Sequence, residues 1–219
     1  MHQPLYKQGV DVKKLVLAFM FLCFAYACDS TNPTSETYES VERYFPLNIG
    51  NKWEYSYNYS ILDEIVEKIV TNNVNHEDGT NLWGFTKTIV VPNSNPSLIV
   101  GYNAIKDDGL YYYSSTKDTA YSDSNILCEK ELLLKSPIQI GQNWITNNGV
   151  ISRIAKVYDF NLDGTIYPET VLVIRENDGD IDSMWYALDI GLLKRSIRLS
   201  YEQPNSEMIK LELINHYFP

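Results

Sequence analysis

The chain has 219 residues, with 28 acidic residues against 18 basic ones and a formal net charge of −10 at pH 7. An acidic surface repels phosphate backbones and anionic headgroups, which argues against a nucleic-acid partner or direct binding to a lipid surface. Three histidines and three cysteines leave almost no material for Cys/His metal chemistry. A chain of this length usually forms one domain.

The N-terminal segment has the layout of a secretory signal peptide. Two lysines precede an uncharged, largely apolar stretch over residues 15–27, in which Ala25 and Ala27 lead into Cys28. A charged start, an apolar middle and a small-residue cleavage site are the three parts of such a signal. A membrane-spanning helix needs about 20 apolar residues, so this stretch is too short to remain as a span. We therefore expect export.

Cys28 stands directly after the cleavage site and resembles the acylated cysteine of bacterial lipoproteins. In those proteins the thiol carries the lipid and the cysteine becomes the new N-terminus. Cys23 is excluded as the acylated residue because a bulky leucine precedes it. Ordinary signal cleavage after residues 25–27 is the alternative, and it would release a soluble protein.

These features divide the chain into three parts. Residues 1–27 are the expected signal peptide, residues 28–36 the lipidated cysteine with a polar tether, and residues 37–219 a single β domain. The expected location is the bacterial cell envelope, with the protein held by its lipid anchor in a membrane, in particular the outer membrane.

The remainder of the chain has the pattern of β-strands. Trp53, Tyr55, Tyr57 and Tyr59 alternate with polar residues, so the four rings lie on one face of a half-buried strand. Turn signals such as Asp163-Gly164 separate many of the further runs. An all-β fold is predicted, an antiparallel meander that forms a curved sheet, half-barrel or barrel of about ten strands. The further runs cover residues 64–73, 82–91, 98–106, 110–116, 131–136, 150–159, 167–176, 182–188, 192–201 and 207–218.

Two segments of the chain, residues 46–53 and 137–144, share the pattern Pro-x-x-x-Gly-x-x-Trp. We interpret each as a turn that feeds a strand: proline interrupts ladder pairing, glycine permits the bend and tryptophan packs on the sheet. Two equivalent strand starts in one domain are favoured over a gene duplication. The structural residues predicted from this pattern are Pro46, Gly50, Trp53, Pro137, Gly141 and Trp144.

Residues 45–55 read FPLNIGNKWEY and residues 185–192 read WYALDIGL. These two short motifs resemble a family of bacterial envelope lipoproteins with no assigned activity. The family opens on an aromatic-Pro-Leu-x-x-Gly-Asn-x-Trp-x-Tyr segment and later has a Tyr-Ala segment that leads to a Gly-Leu pair. The resemblance implies a curved antiparallel sheet, similar to the half-barrels of the LolA and LolB lipoprotein carriers. The residues that carry it are Phe45, Pro46, Leu47, Gly50, Asn51, Trp53 and Tyr55, then Trp185, Tyr186, Ala187, Gly191 and Leu192.

A segment that starts at Asp159 matches the first eight positions of an EF-hand calcium loop. The pattern fails at the twelfth position, which is Thr170, and β-like runs replace the flanking helices. The alternative is a hairpin that turns at Asp163-Gly164. Calcium is thus the one cofactor for which the sequence offers ligands. They are Asp159, Asn161, Asp163, Thr165 and Glu169.

Tyrosines form a second candidate site. Aromatic faces stack on sugar rings or line apolar pockets, so an exposed row of tyrosines would suit a carbohydrate or lipid ligand. The alternative is that such rings belong to the core of the sheet. The candidate residues are Tyr111, Tyr112, Tyr113 and Tyr121.

Catalytic motifs are missing from the sequence. It has no Gly-x-Ser-x-Gly elbow, no phosphate-binding glycine loop and no catalytic residues that we can assign. We therefore expect a non-catalytic, lipid-anchored envelope protein that binds an apolar ligand or a partner protein through its curved sheet. A surface carbohydrate-binding lipoprotein is the alternative.

Overall fold

The structure, a computed structural model, describes residues 38–59, 62–76, 79–90, 95–115, 128–146, 149–200 and 209–219. Within these ranges no helix is both long and apolar enough to cross a membrane. The elements are a one-turn 3-10 helix η1 (Val41–Tyr44) and the strands β1 (Lys52–Tyr59), β2 (Leu62–Asn75), β3 (Asn81–Val90), β4 (Ser97–Lys106), β5 (Gly109–Ser115), β6 (Cys128–Lys135), β7 (Asn143–Ile145), β8 (Ile151–Leu162), β9 (Thr165–Asn177), β10 (Asp180–Ala187), β11 (Gly191–Arg198) and β12 (Ile209–Tyr217).

All the strands belong to one antiparallel sheet in the order β6-β5-β4-β3-β2-β1-β12-β11-β10-β9-β8-β7. The first six strands form one meander and the last six another, and the pairing of β1 with β12 joins them. The sheet curves until its two edges approach each other. At this seam the indole N–H of Trp144 on β7 donates to the carbonyl of Leu132 on β6 at 3.0 Å. The result is a nearly closed, barrel-shaped sheet with an inner and an outer face.

The prediction of an all-β antiparallel meander is confirmed. Among the described residues the sheet has twelve strands rather than about ten. The difference comes mainly from β7, because its three residues are too few to produce a periodic pattern. On β1, Trp53 and Tyr55 are 1% and 4% exposed and face the interior, while Glu54 and Ser56 alternate with them on the outer face.

Helix η1 and the segment that follows it close one end of the sheet. The helix contacts β5 and β11, and the Arg43 guanidinium binds the Asp189 carboxylate in the β10–β11 turn at 3.1 and 2.5 Å. We call this the closed end, and we call the opposite end, where β2 begins and β3 ends, the open end. We call residues 41–47 the closing segment. The residues of this segment that enter the core are Val41, Tyr44, Phe45 and Leu47.

The two Pro-x-x-x-Gly-x-x-Trp segments have the same hydrogen-bond pattern. The amide of Gly50 donates to the Val70 carbonyl at 2.9 Å, and the amide of Val70 donates back to the residue after Gly50 at 2.9 Å. In the second segment the amide of Gly141 donates to the Ile154 carbonyl at 2.8 Å. The amide of Ile154 donates back to the carbonyl of Gln142, the residue after Gly141, at 3.0 Å. Both glycines have positive φ, +93° and +83°, a conformation that favours glycine. Each segment therefore docks its turn on the strand that pairs with the one it feeds.

The tryptophans of these segments donate to different elements. The indole N–H of Trp53 donates to the carbonyl of Ile190 in the β10–β11 turn at 2.6 Å, whereas that of Trp144 reaches across the seam. The prolines differ as well. The Pro46 carbonyl accepts a bond from the Asn51 side chain at 2.9 Å, and the peptide bond that precedes Pro137 is cis.

Replacing Trp144 with phenylalanine should weaken the seam, because the Leu132 carbonyl loses its indole donor while the ring volume is largely kept. We expect a loss of about 1 kcal/mol in the free energy of unfolding and faster amide exchange along β6 and β7. The matched control is Trp185→Phe, which removes a bond to the exposed Tyr158 hydroxyl and should cost less. Unchanged exchange at β6 and β7 in the Trp144 variant would contradict this description of the seam.

Candidate ligand-binding cleft

Burial along the inner face decreases from the closed end towards the open end. Inward side chains at the closed end are buried, among them Trp53, Val70, Leu110, Leu134 and Leu193. Nearer the open end the inward side chains are only half-buried, so solvent reaches them. We call this half-buried part of the inner face the interior cleft. The half-buried lining residues are Tyr57, Glu64, Lys87, Ile89, Glu131, Arg175, Asp182, Arg195 and Leu211.

Charged side chains enter this inner face because of the strand register. Lys68 on β2 lies opposite the buried Trp53 on β1 and opposite Lys87 on β3. Arg195 on β11 lies opposite the buried Met184 on β10. Directly opposed residues of antiparallel strands project to the same face, so all three cations project inward with their buried partners.

The ammonium of Lys68 lies among aromatic rings at the floor of the cleft. Its Nζ is 3.9 Å from the ring centre of Phe85, 4.7 Å from that of Phe45 and 5.9 Å from that of Trp53. The same atom donates a hydrogen bond to Oδ1 of Asn103 at 3.0 Å. The ring faces attract the cation, but they are weaker partners than a carboxylate.

Burial lowers the pKa of Lys68 to about 7, and the positive charge of Lys87 lowers it further in the same direction. Among the described residues no carboxylate lies within ion-pair distance of the Lys68 ammonium. The side chain of Lys68 is half-buried. A desolvated cation without a counter-ion is costly, and strongly perturbed ionisable groups in clefts are typical of functional sites.

Two arginines of the cleft are paired with carboxylates. Arg195 binds Asp182 through two parallel hydrogen bonds, at 3.0 and 2.8 Å. Arg175 lies 3.9 Å from the same carboxylate and also binds Glu131 on β6, across the seam. The Nε atom of Arg175 is buried and has no hydrogen-bond partner among the described residues. The paired charges hold β9, β10, β11 and β6 together at the open end.

Lys87 is the other lysine of the inner face, beside Lys68 and the two arginines. Burial lowers its pKa, the nearby Arg195 lowers it further, and Glu64 acts in the opposite direction. Within the described ranges Lys87 forms no ion pair with a carboxylate, and in this respect it is like Lys68.

The predicted tyrosine row does not form one surface. Tyr111 and Tyr113 are 6% and 3% exposed and pack with Leu82 and Ala104 in a second apolar cluster on the outer side of β3, β4 and β5. Tyr112 projects to the opposite face, where its ring lies 6.1 Å from Phe85. The expectation of an exposed row is therefore wrong for Tyr111 and Tyr113, because successive residues of a strand alternate between faces.

Two of the residues predicted from the sequence, Cys28 and Tyr121, lie outside the described residues. Their roles stay predictions.

The predicted calcium loop is the β8–β9 hairpin. Asp163 and Gly164 form its turn with positive φ, +49° and +89°. Asn161 Oδ1 accepts the amide of Gly164 at 2.9 Å, and Asp159 Oδ1 accepts the amide of Glu169 at 3.3 Å. Those two oxygens thus already bond the hairpin backbone, and Thr165 begins β9. Within the described ranges no group of three His, Cys, Asp or Glu side chains is arranged to hold a metal ion. Calcium binding here stays a prediction.

The cleft residues were not among the site residues predicted from the sequence, although the sequence contains a signal for them. On four strands a charged residue stands in the alternating row of inward apolar residues. Lys68 lies between Val66 and Val70, and Lys87 between Phe85 and Ile89. The other two are Arg195, between Leu193 and Ile197, and Arg175, which follows Val171 and Val173.

Comparisons with known proteins gave two similar crystal structures. One is a protein inferred to be a lipoprotein, from Parabacteroides distasonis ATCC 8503, with 9% identity and a TM-score of 0.41. The other is a protein inferred to be exported, with a YmcC-like fold, from Bacteroides fragilis NCTC 9343, with 10% identity and a TM-score of 0.44. Each similarity covers 80% of this chain and 98% of the other. No family model and no curated protein matched the chain.

Replacing Lys68 with methionine should remove a pH dependence of stability. The pKa of Lys68 is about 7 in the folded protein, whereas the pKa of an unfolded lysine is about 10.4. Between these values the unfolded chain binds more protons, so stability rises with pH, and this contribution is at its lowest below pH 7. From pH 7 to pH 9 we expect the wild type to gain about 2 kcal/mol relative to Lys68→Met, measured by urea unfolding.

The control for this experiment is Lys52→Met. Lys52 lies on the outer face between Glu54 and Glu67, at 2.9 and 2.5 Å, and those contacts raise its pKa. It stays charged across the pH range of the measurement, so its removal should leave the slope unchanged. The same slope in the wild type and in Lys68→Met would contradict the lowered pKa.

Proposed function

We propose that this is a non-catalytic, lipid-anchored protein of the bacterial outer membrane that binds an apolar ligand in the interior cleft. The observation that carries the proposal is the change in burial along the inner face. A solid core would bury the inward side chains at both ends, whereas here those near the open end are half-buried. Accessible apolar walls inside a curved sheet are typical of ligand sites.

The interior cleft has an apolar part beside its charged side chains, and this apolar part supports an apolar ligand. Tyr57, Ile89 and Leu211 line its walls, and all three also pack against the main core. Large apolar side chains are exposed around the open end as well, on strands that meet there. They are Ile65, Val90, Leu98 and Ile99 from β2, β3 and β4, and Ile145 and Ile151 from β7 and β8. Such a rim suits the entry of an apolar molecule.

The anchor and the location rest on the sequence. The signal segment, Cys28 and the polar residues 29–36 support a domain held at a membrane by a lipid on its N-terminal cysteine. The arrangement of the cleft supports a binding role rather than a catalytic one, because Arg175, Arg195 and Asp182 are engaged with one another or with Glu131.

A second candidate, carbohydrate binding, is favoured by an aromatic patch on the outer face. The ring of Trp185 stacks on Phe160 with centres 5.6 Å apart, and its N–H donates to the hydroxyl of Tyr158 at 2.9 Å. Lys194 lies 5.5 Å from the Trp185 ring centre. Tyr158 is 36% exposed, and half-buried rings of this kind can stack on sugars.

The protein purified under native conditions should carry an apolar small molecule that native mass spectrometry detects as an adduct. Ile89→Glu places a charge on the apolar wall and should abolish the adduct. The control is Thr88→Glu, which puts the same charge on the adjacent residue of the opposite face and should keep it. A protein without an adduct that is retained by glycans would favour the second candidate over the first.

Cys28→Ser should release the protein from the membrane fraction into the soluble fraction, because the thiol that carries the lipid is lost. Cys23→Ser is the matched control, since it removes a thiol of the same segment and should leave the protein with the membranes. Fractionation after cell lysis, followed by immunoblotting, measures both. A wild type that is already soluble would exclude the anchor and leave export alone.

A further inference from the structure

We propose that the ligand of the interior cleft is a monoanionic amphiphile, an apolar chain with one carboxylate, and that this carboxylate pairs with the ammonium of Lys68. The proposal rests on the proposed function, since it names the class of ligand that the same cleft takes.

The first argument is the lack of a counter-ion for Lys68. Asp182 and Glu131 bind the two arginines of the cleft. Among the residues whose side chains the structure describes, no carboxylate lies within ion-pair distance of the Lys68 ammonium. The carboxylate of a ligand would supply the counter-ion that Lys68 lacks there.

The second argument is the hydrogen-bonding capacity of Lys68. An ammonium has three N–H donors, and the one acceptor that bonds it within the described ranges is Oδ1 of Asn103. Asn103 is itself buried, and its side-chain NH₂ donates to the Tyr111 carbonyl at 3.1 Å, which fixes its oxygen towards the lysine. The other two donors lie among the rings of Phe45, Phe85 and Trp53. A carboxylate offers the acceptors that these rings lack.

The third argument is the depth of Lys68. Phe45 and Trp53, which surround the ammonium, belong to the packed closed end, whereas Tyr57, Ile89 and Leu211 line the cleft towards the open end. A ligand that enters head first thus places its acid group at the floor and its apolar chain along these walls. Burial of the chain favours binding through the hydrophobic effect, and the ion pair adds the discrimination between an acid and a neutral chain.

The test compares dodecanoate with 1-dodecanol, which share one chain length and differ in the headgroup. We would titrate each into the full chain carrying Cys28→Ser and follow tryptophan fluorescence or heat. The wild-type cleft should bind dodecanoate about ten-fold or more tightly than dodecanol. Lys68→Met should remove this preference, Lys68→Arg should retain most of it, and Lys52→Met, which removes a lysine of the outer face, should leave it within about two-fold.

The outcomes separate the two proposals. Equal binding of dodecanoate and dodecanol by the wild type would overturn the role of Lys68 while an apolar ligand site remained. A preference that survives in folded Lys68→Met would do the same. Binding of neither compound would overturn the cleft as a ligand site, and the inference with it. Because the wild-type comparison needs no substitution, the proposal stays testable even if Lys68→Met does not fold, and Lys68→Gln then serves as a second variant.

Discussion

The packing of Trp53 connects the parts of the molecule on which the cleft depends. Its indole N–H donates to the Ile190 carbonyl at 2.6 Å, which ties the start of β1 to the β10–β11 turn. Its ring stacks on Phe45 with centres 5.9 Å apart and meets the edge of Phe218 at 5.5 Å. The closing segment, the two meanders and the C-terminal end therefore meet at one side chain. The same ring forms part of the surroundings of Lys68, so the packing that closes the sheet also builds the floor of the cleft.

The inner face combines two kinds of side chain with opposite effects on stability. Apolar residues at the closed end stabilise the fold by burial, whereas cations inside a protein destabilise it unless they are paired. Arg175 and Arg195 meet this requirement through Asp182 and Glu131, and the pair between Arg175 and Glu131 also joins strands across the seam. Lys68 has no such carboxylate within the described residues, and burial together with the positive charge of Lys87 lowers its pKa. A destabilising group in an otherwise well-packed interior is more typical of functional sites than of structural cores.

Local pattern was sufficient to predict much of the fold. The alternating aromatics of β1 and the Asp163-Gly164 turn depend on neighbours in sequence, and both follow the rules for strands and tight hairpins. The surroundings of Lys68 depend on Phe45 and Asn103, which belong to other elements far along the chain. Only the register of the folded sheet brings them together, and a lysine in a strand ordinarily faces solvent. The expectation of an exposed tyrosine row was wrong for a related reason. Adjacent residues of a strand project to opposite faces, so Tyr112 lies on the face opposite to Tyr111 and Tyr113.

The most direct test of this account is the titration of Lys68 itself. The chemical shifts of Cε and Nζ of Lys68, measured by nuclear magnetic resonance, report the protonation of this one ammonium. Comparison with Lys68→Arg assigns the signals. The account predicts a titration midpoint near 7, far below the usual value for lysine, because the ammonium is enclosed and lies close to the positive charge of Lys87. A midpoint of about 10.4 would mean that Lys68 is solvated or paired, and it would contradict the enclosed surroundings of this ammonium and the inference built on them.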